Sequence, residues 1–240
     1  MTSYLWPSFI HPKDKNLLSR LYGTWLTYPS LDPRRIHQSV AGKRIQKGMA
    51  QGSQWSSQTP EIWTALQKIW EQDSSKVWVW SDLHLFHDSI IQLTQRPFQS
   101  LIDMNEHLLK EAMKLDSSDW LIFVGDVSFG LFEETQLWLS MIQAHKILIL
   151  GNHDIHNAIV RQNPFEIGFE GVCDSLELIQ NEQKLWLTHY PIVQNWILEN
   201  TLNVHGHLHK HLLEGPYVNV CVEQTDYRPV LLRQVIQKSL

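Results

Sequence analysis

The sequence predicts an α/β domain over residues 76–240, preceded by an extension, residues 1–75, of different character. Three observations predict it. From Val77 onward, short apolar runs alternate with amphipathic stretches, as strands and helices do when they follow one another. Several of those runs stop at an Asp, Asn or His, most of them with a Gly close by. The chain has 240 residues, 43% of them hydrophobic, which is enough for one large domain with an extension.

The extension is Trp-rich and basic. It holds Trp6, Trp25, Trp55, Trp63 and Trp70, and residues 1–76 carry ten of the 20 Lys and Arg but five of the 25 Asp and Glu. No acid occurs from Arg34 to Pro60, where AGKRIQKGMAQGSQWSSQTP reads as a flexible loop rich in Gly, Ser and Gln. The basic stretch Arg34–Lys47 reads as a solvated face, with a phosphate-steering patch as the alternative. A helix is expected over Pro60–Gln72, with Ile62, Trp63, Leu66, Ile69 and Trp70 on its apolar side. So many Trp side chains need burial, so the extension is expected to pack on the main domain. They read as core before they read as nucleobase platforms.

In the main domain, strands are expected at Val77–Trp80, Trp120–Val124, Lys146–Leu150, Leu185–Thr188, Asn203–His205, Tyr217–Val222 and Val230–Arg233. A helix is expected over Leu101–Leu115, where Leu101, Met104, Leu108, Ala112 and Leu115 share one face. Another is expected over Glu133–Gln143, which opens with two acids where the helix dipole favours them. No apolar run nears the roughly 20 residues needed to cross a bilayer, and the N-terminus lacks the order of a secretory signal. The cytoplasm is the expected location. Cys173 and Cys221 form no C-x-x-C pair and read as buried free thiols.

The strand ends carry the chemistry. VWVWSDLHL places Asp82 and His84 two apart, where an extended backbone would turn both to one side. WLIFVGDVSFG places Asp126, KILILGNHD places Asn152 and His153, KLWLTHYP places His189, and LNVHGHLH places His207 and His209. Ligands of α/β sheets bind at the carboxyl ends of strands, so Asp82, His84, Asp126, Asn152, His189, His207 and His209 are expected to converge. Two divalent cations about 3.5–4 Å apart can clamp the attacking and leaving oxygens of an in-line displacement at phosphorus. A carboxylate has two oxygens and can bridge such ions. Imidazole, carboxylate and amide together suit Mn, Fe or Zn better than Ca. The acidic balance outside the extension would be partly offset by such cations.

These blocks resemble the calcineurin-like metallophosphoesterase superfamily. The match is Asp82-Leu83-His84, Gly125-Asp126, Gly151-Asn152-His153-Asp154, His189 and Gly206-His207-Leu208-His209, in family order, over residues 76–240. Each block alone is common; all in order are specific. The resemblance implies a four-layer α/β/β/α sandwich of two mixed sheets. It implies one metal held by Asp82, His84, Asp126 and His209 and a second by Asp126, Asn152, His189 and His207, with Asp126 bridging. Mn is the expected metal, with Fe, Zn and Ni served by similar ligands. His153 would face the leaving oxygen as general acid or positive stabiliser, and Asp154 would orient it by a hydrogen bond or cap a helix.

A narrower likeness is to small bacterial and phage phosphoesterases. It rests on Ser81–His87, Arg96-Pro97-Phe98, Met104–Leu108 and the tail from Asn219-Val220-Cys221-Val222-Glu223 to Tyr227-Arg228-Pro229-Val230. Phe86 departs from it, since Gly is expected before His87. His87 and Arg96 are the weaker candidates for substrate contact; Arg96 has pairing with a nearby acid as its other reading. His205 is expected to support the ligand loop, and His11, His37, His107, His145, His156 and His211 are expected to be structural.

The expected activity is hydrolysis of a phosphodiester, with a phosphomonoester second, by metal-activated hydroxide. The expected partner is a phosphate ester, a nucleotide or nucleic acid among the candidates, and no membrane; the sequence sets no oligomeric state. The alternatives are a nuclease or RNA-end phosphodiesterase and a non-catalytic metal-binding scaffold. A Ser/Thr protein phosphatase is disfavoured: its D-R-G after the Gly-Asp block is absent from Gly125-Asp126-Val127-Ser128-Phe129-Gly130, and it has Glu where Asp154 stands.

Overall fold

Alternation along each strand decides which sheet face is which, and here it builds two sheets around one shared core. The computed structural model describes residues 61–156 and 163–237. In chain order its first half contains α1 (Glu61–Gln72), β1 (Val77–Trp80), α2 (Ser89–Leu93), α3 (Leu101–Ala112), β2 (Trp120–Phe123), α4 (Phe132–Ser140), β3 (His145–Ile149) and α5 (Asn152–His156). Then come α6 (Pro164–Ile167), β4 (Gly171–Cys173), β5 (Ser175–Gln180), β6 (Gln183–Thr188), β7 (Thr201–His205), β8 (Tyr217–Asn219), β9 (Val230–Leu231) and α7 (Leu232–Gln237).

One sheet has the order β4-β3-β2-β1-β9, parallel except for β9. The other has the order β5-β6-β7-β8, antiparallel between β5 and β6 and parallel thereafter. This is the expected α/β fold of two mixed sheets with helices. Val77, Val79, Ile122, Ile147 and Ile149 of the first sheet share one apolar cluster with Leu178, Leu185, Leu187, Val204 and Val218 of the second. Inner faces that interdigitate in this way form the core of a sandwich. α1 adds Ile62, Leu66 and Trp70 to the same cluster. α3 starts where Ser100 accepts from the Asp103 N–H at 3.1 Å, while Asp103 reaches back to the Gln99 N–H at 3.1 Å, so both of these N–H groups are satisfied.

Three differences from the sequence expectations have physical causes. β4 and β5 were not expected: Gly171–Cys173 is too short for a pattern, and Ser175–Gln180 alternates Leu176 and Leu178 with Glu177 at a sheet edge. β8 stops at Asn219 because the chain then leaves the second sheet, and Cys221 bridges to Ser81 at the end of the first. β9 stops at Leu231 because α7 begins at Leu232. The edge strand β5 is covered by α1: the Gln67 side-chain amide donates to Ile179 O at 2.7 Å and accepts from Ile179 N at 3.2 Å. An amide side chain thus fills ladder positions that an open edge would leave to another chain. The expectations for residues 1–60, including Trp6, Trp25, Trp55 and Arg34–Lys47, lie outside the described residues.

Candidate metal centre

The loops that leave the strands run in the left-handed backbone region. Asp82 (φ 58), His84 (φ 52), Asp126 (φ 54), His207 (φ 66) and His209 (φ 49) all lie there. That conformation is uncommon for residues other than Gly, and it clusters where the fold needs a side chain aimed at a site. The extended backbone expected for Asp82 and His84 is therefore not what aims them; two left-handed residues are. The turns are held by main-chain bonds from Asp82 N to Gly125 O (3.0 Å) and from His84 N to Asp126 O (3.1 Å). Gly206 is required by close approach: any side chain there would collide with Ser81 and Asp82.

Two groups of ligand atoms result. Asp82, His84 and His209 form one, Asp126, His189 and His207 the other, each with its ligand atoms within 4.8 Å of one another. Asn152 joins the second, its Oδ1 3.1 Å from His189 Nε2. Asp126 Oδ2 lies 3.7 Å from His84 Nε2 and 3.4 Å from His189 Nε2, so one carboxylate oxygen stands between the two groups. All seven expected ligands come together.

The donor set fits divalent cations. Asp82 Oδ1 and both ring nitrogens of His84 are buried without a hydrogen-bond partner among the described residues, a costly state that a cation at that point would relieve. His189 Nδ1 donates to Val124 O at 2.8 Å, which aims Nε2 at the site. His209 Nδ1 donates to Glu223 Oε1 at 3.1 Å, with the same effect.

The charges agree with this reading. Burial pushes His84 and His207 down to about 3, keeping both imidazoles neutral and free to ligate. Burial would lower His189 too, but the carboxylates of Asp126 and then Asp82 outweigh it and push it up to about 10. Burial opposes ionisation of Asp126, yet the surrounding histidines, His189 first, hold its carboxyl well below the usual range. The buried carboxylates call for positive charge, and without metal the His189 proton supplies it.

The remaining candidates divide. His153 stands at the rim, 26% exposed, with Nε2 3.8 Å from Asp126 Oδ2. Asp154 is fully buried, and its carboxylate accepts from Asp126 N (2.8 Å), Val127 N (3.0 Å) and Gly151 N (2.8 Å). It therefore ties the Asp126 loop to the start of α5, a different task from the expected bond to the His153 ring. His87 stacks on Phe129 with ring centroids 4.1 Å apart, and burial, then the His153 charge, push it down to about 4. Phe129 also packs 4.5 Å from the His153 ring. Arg96 is turned inward. It is 4% exposed, and its guanidinium donates to Asp82 O (2.7 Å), Leu83 O (2.7 Å) and Glu223 Oε1 (2.8 Å). The acid-pairing reading of this residue is the one the geometry takes.

Phe86 has φ 63, the conformation for which Gly is suited, and its ring occupies the space that a side chain at residue 130 would need. His205 is buried and donates from Nδ1 to Gly206 O at 2.8 Å, beneath the loop of His207. His145 pairs with Glu170 at 2.9 Å and stacks on Trp120. Sequence reasoning missed Ser81 and Cys221, which lie 2.6 Å and 3.2 Å from Asp82 Oδ2, and Glu223. Glu223 stood in the recognised tail segment, but nothing in its spacing linked it to His209.

A two-sheet α/β sandwich with His and Asp ligands gathered in two groups at its strand ends is the architecture of a metal-dependent phosphoesterase. Comparison with known proteins agrees: residues 75–231 match the calcineurin-like phosphoesterases, and the chain belongs to that family. An uncharacterised protein of Methanocaldococcus jannaschii is 28% identical over 173 residues, covering 68% of this chain and 90% of its own length. The crystal structure of a protein of unknown function from Aquifex aeolicus has a TM-score of 0.52 at 23% identity, covering 68% of this chain and 98% of that one, and shares the fold. The phosphoesterase YfcE of E. coli has a TM-score of 0.28 at 18% identity, covering 60% and 77% of the two chains.

Proposed function

We propose that this chain hydrolyses a phosphodiester, with phosphomonoesters as poorer substrates, using two divalent metal ions, Mn first among them. The observation that carries the reading is the position of Asp126 Oδ2 between His84 of one ligand group and His189 of the other. Asp82, His84, Asp126 and His209 would hold one ion, and Asp126, Asn152, His189 and His207 the second. When bound, two such ions neutralise charge on the phosphoryl oxygens and lower the pKa of water to near neutrality. Asp126 keeps its two oxygens distinct: Oδ1 accepts from the main-chain N–H of His153 at 2.9 Å, which leaves Oδ2 for the ligand groups. The partly exposed ring of His153 can pass a proton to the departing oxygen and take another from solvent. Asp154 holds the backbone that carries both Asp126 and His153. Residues 76–240 make up the catalytic domain in this reading, with residues 1–75 as its extension, and the enzyme acts in the cytoplasm.

The test is hydrolysis of bis-(p-nitrophenyl) phosphate and p-nitrophenyl phosphate by chelator-stripped protein with Mn²⁺ added back. Metal-restored activity that favours the diester and disappears in Asp126→Asn is expected. A metal-loaded protein that hydrolyses neither compound would overturn the reading.

A further inference from the structure

We propose that Arg96 and Glu223 are positioning residues whose direct bonds reach the Asp82–His84–His209 group and not the second, so that the two metal subsites are built unequal. This rests on the two-metal reading above. Glu223 and Arg96 have fully buried side chains. Glu223 Oε1 accepts from Arg96 Nε at 3.0 Å, from Arg96 Nη2 at 2.8 Å and from His209 Nδ1 at 3.1 Å. A lone carboxylate in that position would be costly; the guanidinium offsets its charge and keeps it an acceptor. His209 is thereby fixed in the tautomer that presents Nε2 to the metal, and a carboxylate partner makes that nitrogen a stronger donor.

The same guanidinium grips the other side of this group. Nη2 donates to Asp82 O and Nη1 to Leu83 O, both at 2.7 Å, across the left-handed turn that aims Asp82 and His84. One ion pair therefore sets residues on loops that leave different sheets, after β1 and after β7. The second group is oriented differently. Its His189 donates to a neutral main-chain carbonyl, Val124 O, and Asp126 is placed by the main-chain N–H of His153. Neither bond involves Arg96 or Glu223. Lys in place of Arg96 could not serve, because a single ammonium cannot span two carbonyls and a carboxylate in one plane.

The experiment is a Mn²⁺ titration of chelator-stripped full-length protein, by calorimetry and by electron paramagnetic resonance. Wild type is compared with Glu223→Gln, Arg96→Lys and, as the reference for loss of a ligand, His209→Ala. Wild type is expected to bind two ions with the spectrum of a coupled pair. Glu223→Gln and Arg96→Lys are expected to keep one step unchanged and to weaken the other by about 10–100-fold, the same step that His209→Ala weakens. At one equivalent their spectrum is that of isolated Mn²⁺. Circular dichroism of the metal-free proteins checks that the fold is intact, and the isosteric Gln variant guards against misfolding of the Lys one. Two unchanged steps in folded variants, or two steps weakened alike, would overturn the proposal. Fewer than two ions bound by folded wild type would overturn the two-metal reading itself, and the proposal with it.

Discussion

Asp154 offers the plainest test at the scale of single residues. Its carboxylate answers three main-chain N–H groups, and an amide in its place offers one oxygen and turns two donors of its own toward them. Asp154→Asn is expected to destabilise the fold by about 1–3 kcal/mol, read from urea unfolding, whether or not metal is present. His153→Ala is expected to lower kcat by about 10²–10⁴-fold, more for esters with poor leaving groups than for p-nitrophenyl esters. An equal loss for both kinds of ester would remove His153 from the leaving-group step. His189 gives a pH dependence. Its folded-state value of about 10 lies above the ordinary 6.5, so the stability that it lends the metal-free protein is complete below about pH 6.5 and is lost as pH rises toward 10. Chelator-treated protein should therefore melt lower at pH 9.5 than at pH 6.5, and Mn²⁺ should flatten that difference by taking over the task of the proton.

At the scale of elements, α1 carries part of the core shared by the two sheets although it precedes the first strand. Leu66 is fully buried in the cluster shared by both sheets. Leu66→Ala is expected to cost about 2–5 kcal/mol, measured as a shift in the denaturant midpoint. A stability change within about 0.5 kcal/mol, the range of ordinary surface positions, would show that α1 does not belong to the core. The helix was legible in the sequence from Ile62, Leu66 and Trp70 at helical spacing, and the strands that bear ligands were legible because each is an apolar run ending in a polar residue. The residues that gather in the two groups were legible for the same reason. β5 was not, because an edge strand with Glu177 and an exposed Ile179 has little apolar signal. Glu223 was illegible as a partner of the site, since the Arg96 that neutralises it is 127 positions away. The sequence favoured acid pairing over phosphate contact for Arg96 only slightly, because only burial tells the two apart.

For the whole molecule, each of the two sheets brings candidate ligands that the other lacks. Asp82, His84, Asp126 and Asn152 follow strands of the first sheet, while His189, His207 and His209 follow strands of the second. A bound ion therefore ties the sheets together, and its binding energy becomes folding energy. Free Mn²⁺ at about 1,000 times its Kd should add about 4 kcal/mol, and chelation should lower Tm in proportion to that loss. The measurement that bears most directly on the account is a crystal structure grown with Mn²⁺ and recorded at the manganese absorption edge. Two anomalous peaks about 3.5–4 Å apart, one on each side of Asp126 Oδ2, are the predicted result. A single peak, or peaks that leave Asp126 on only one of them, would contradict it.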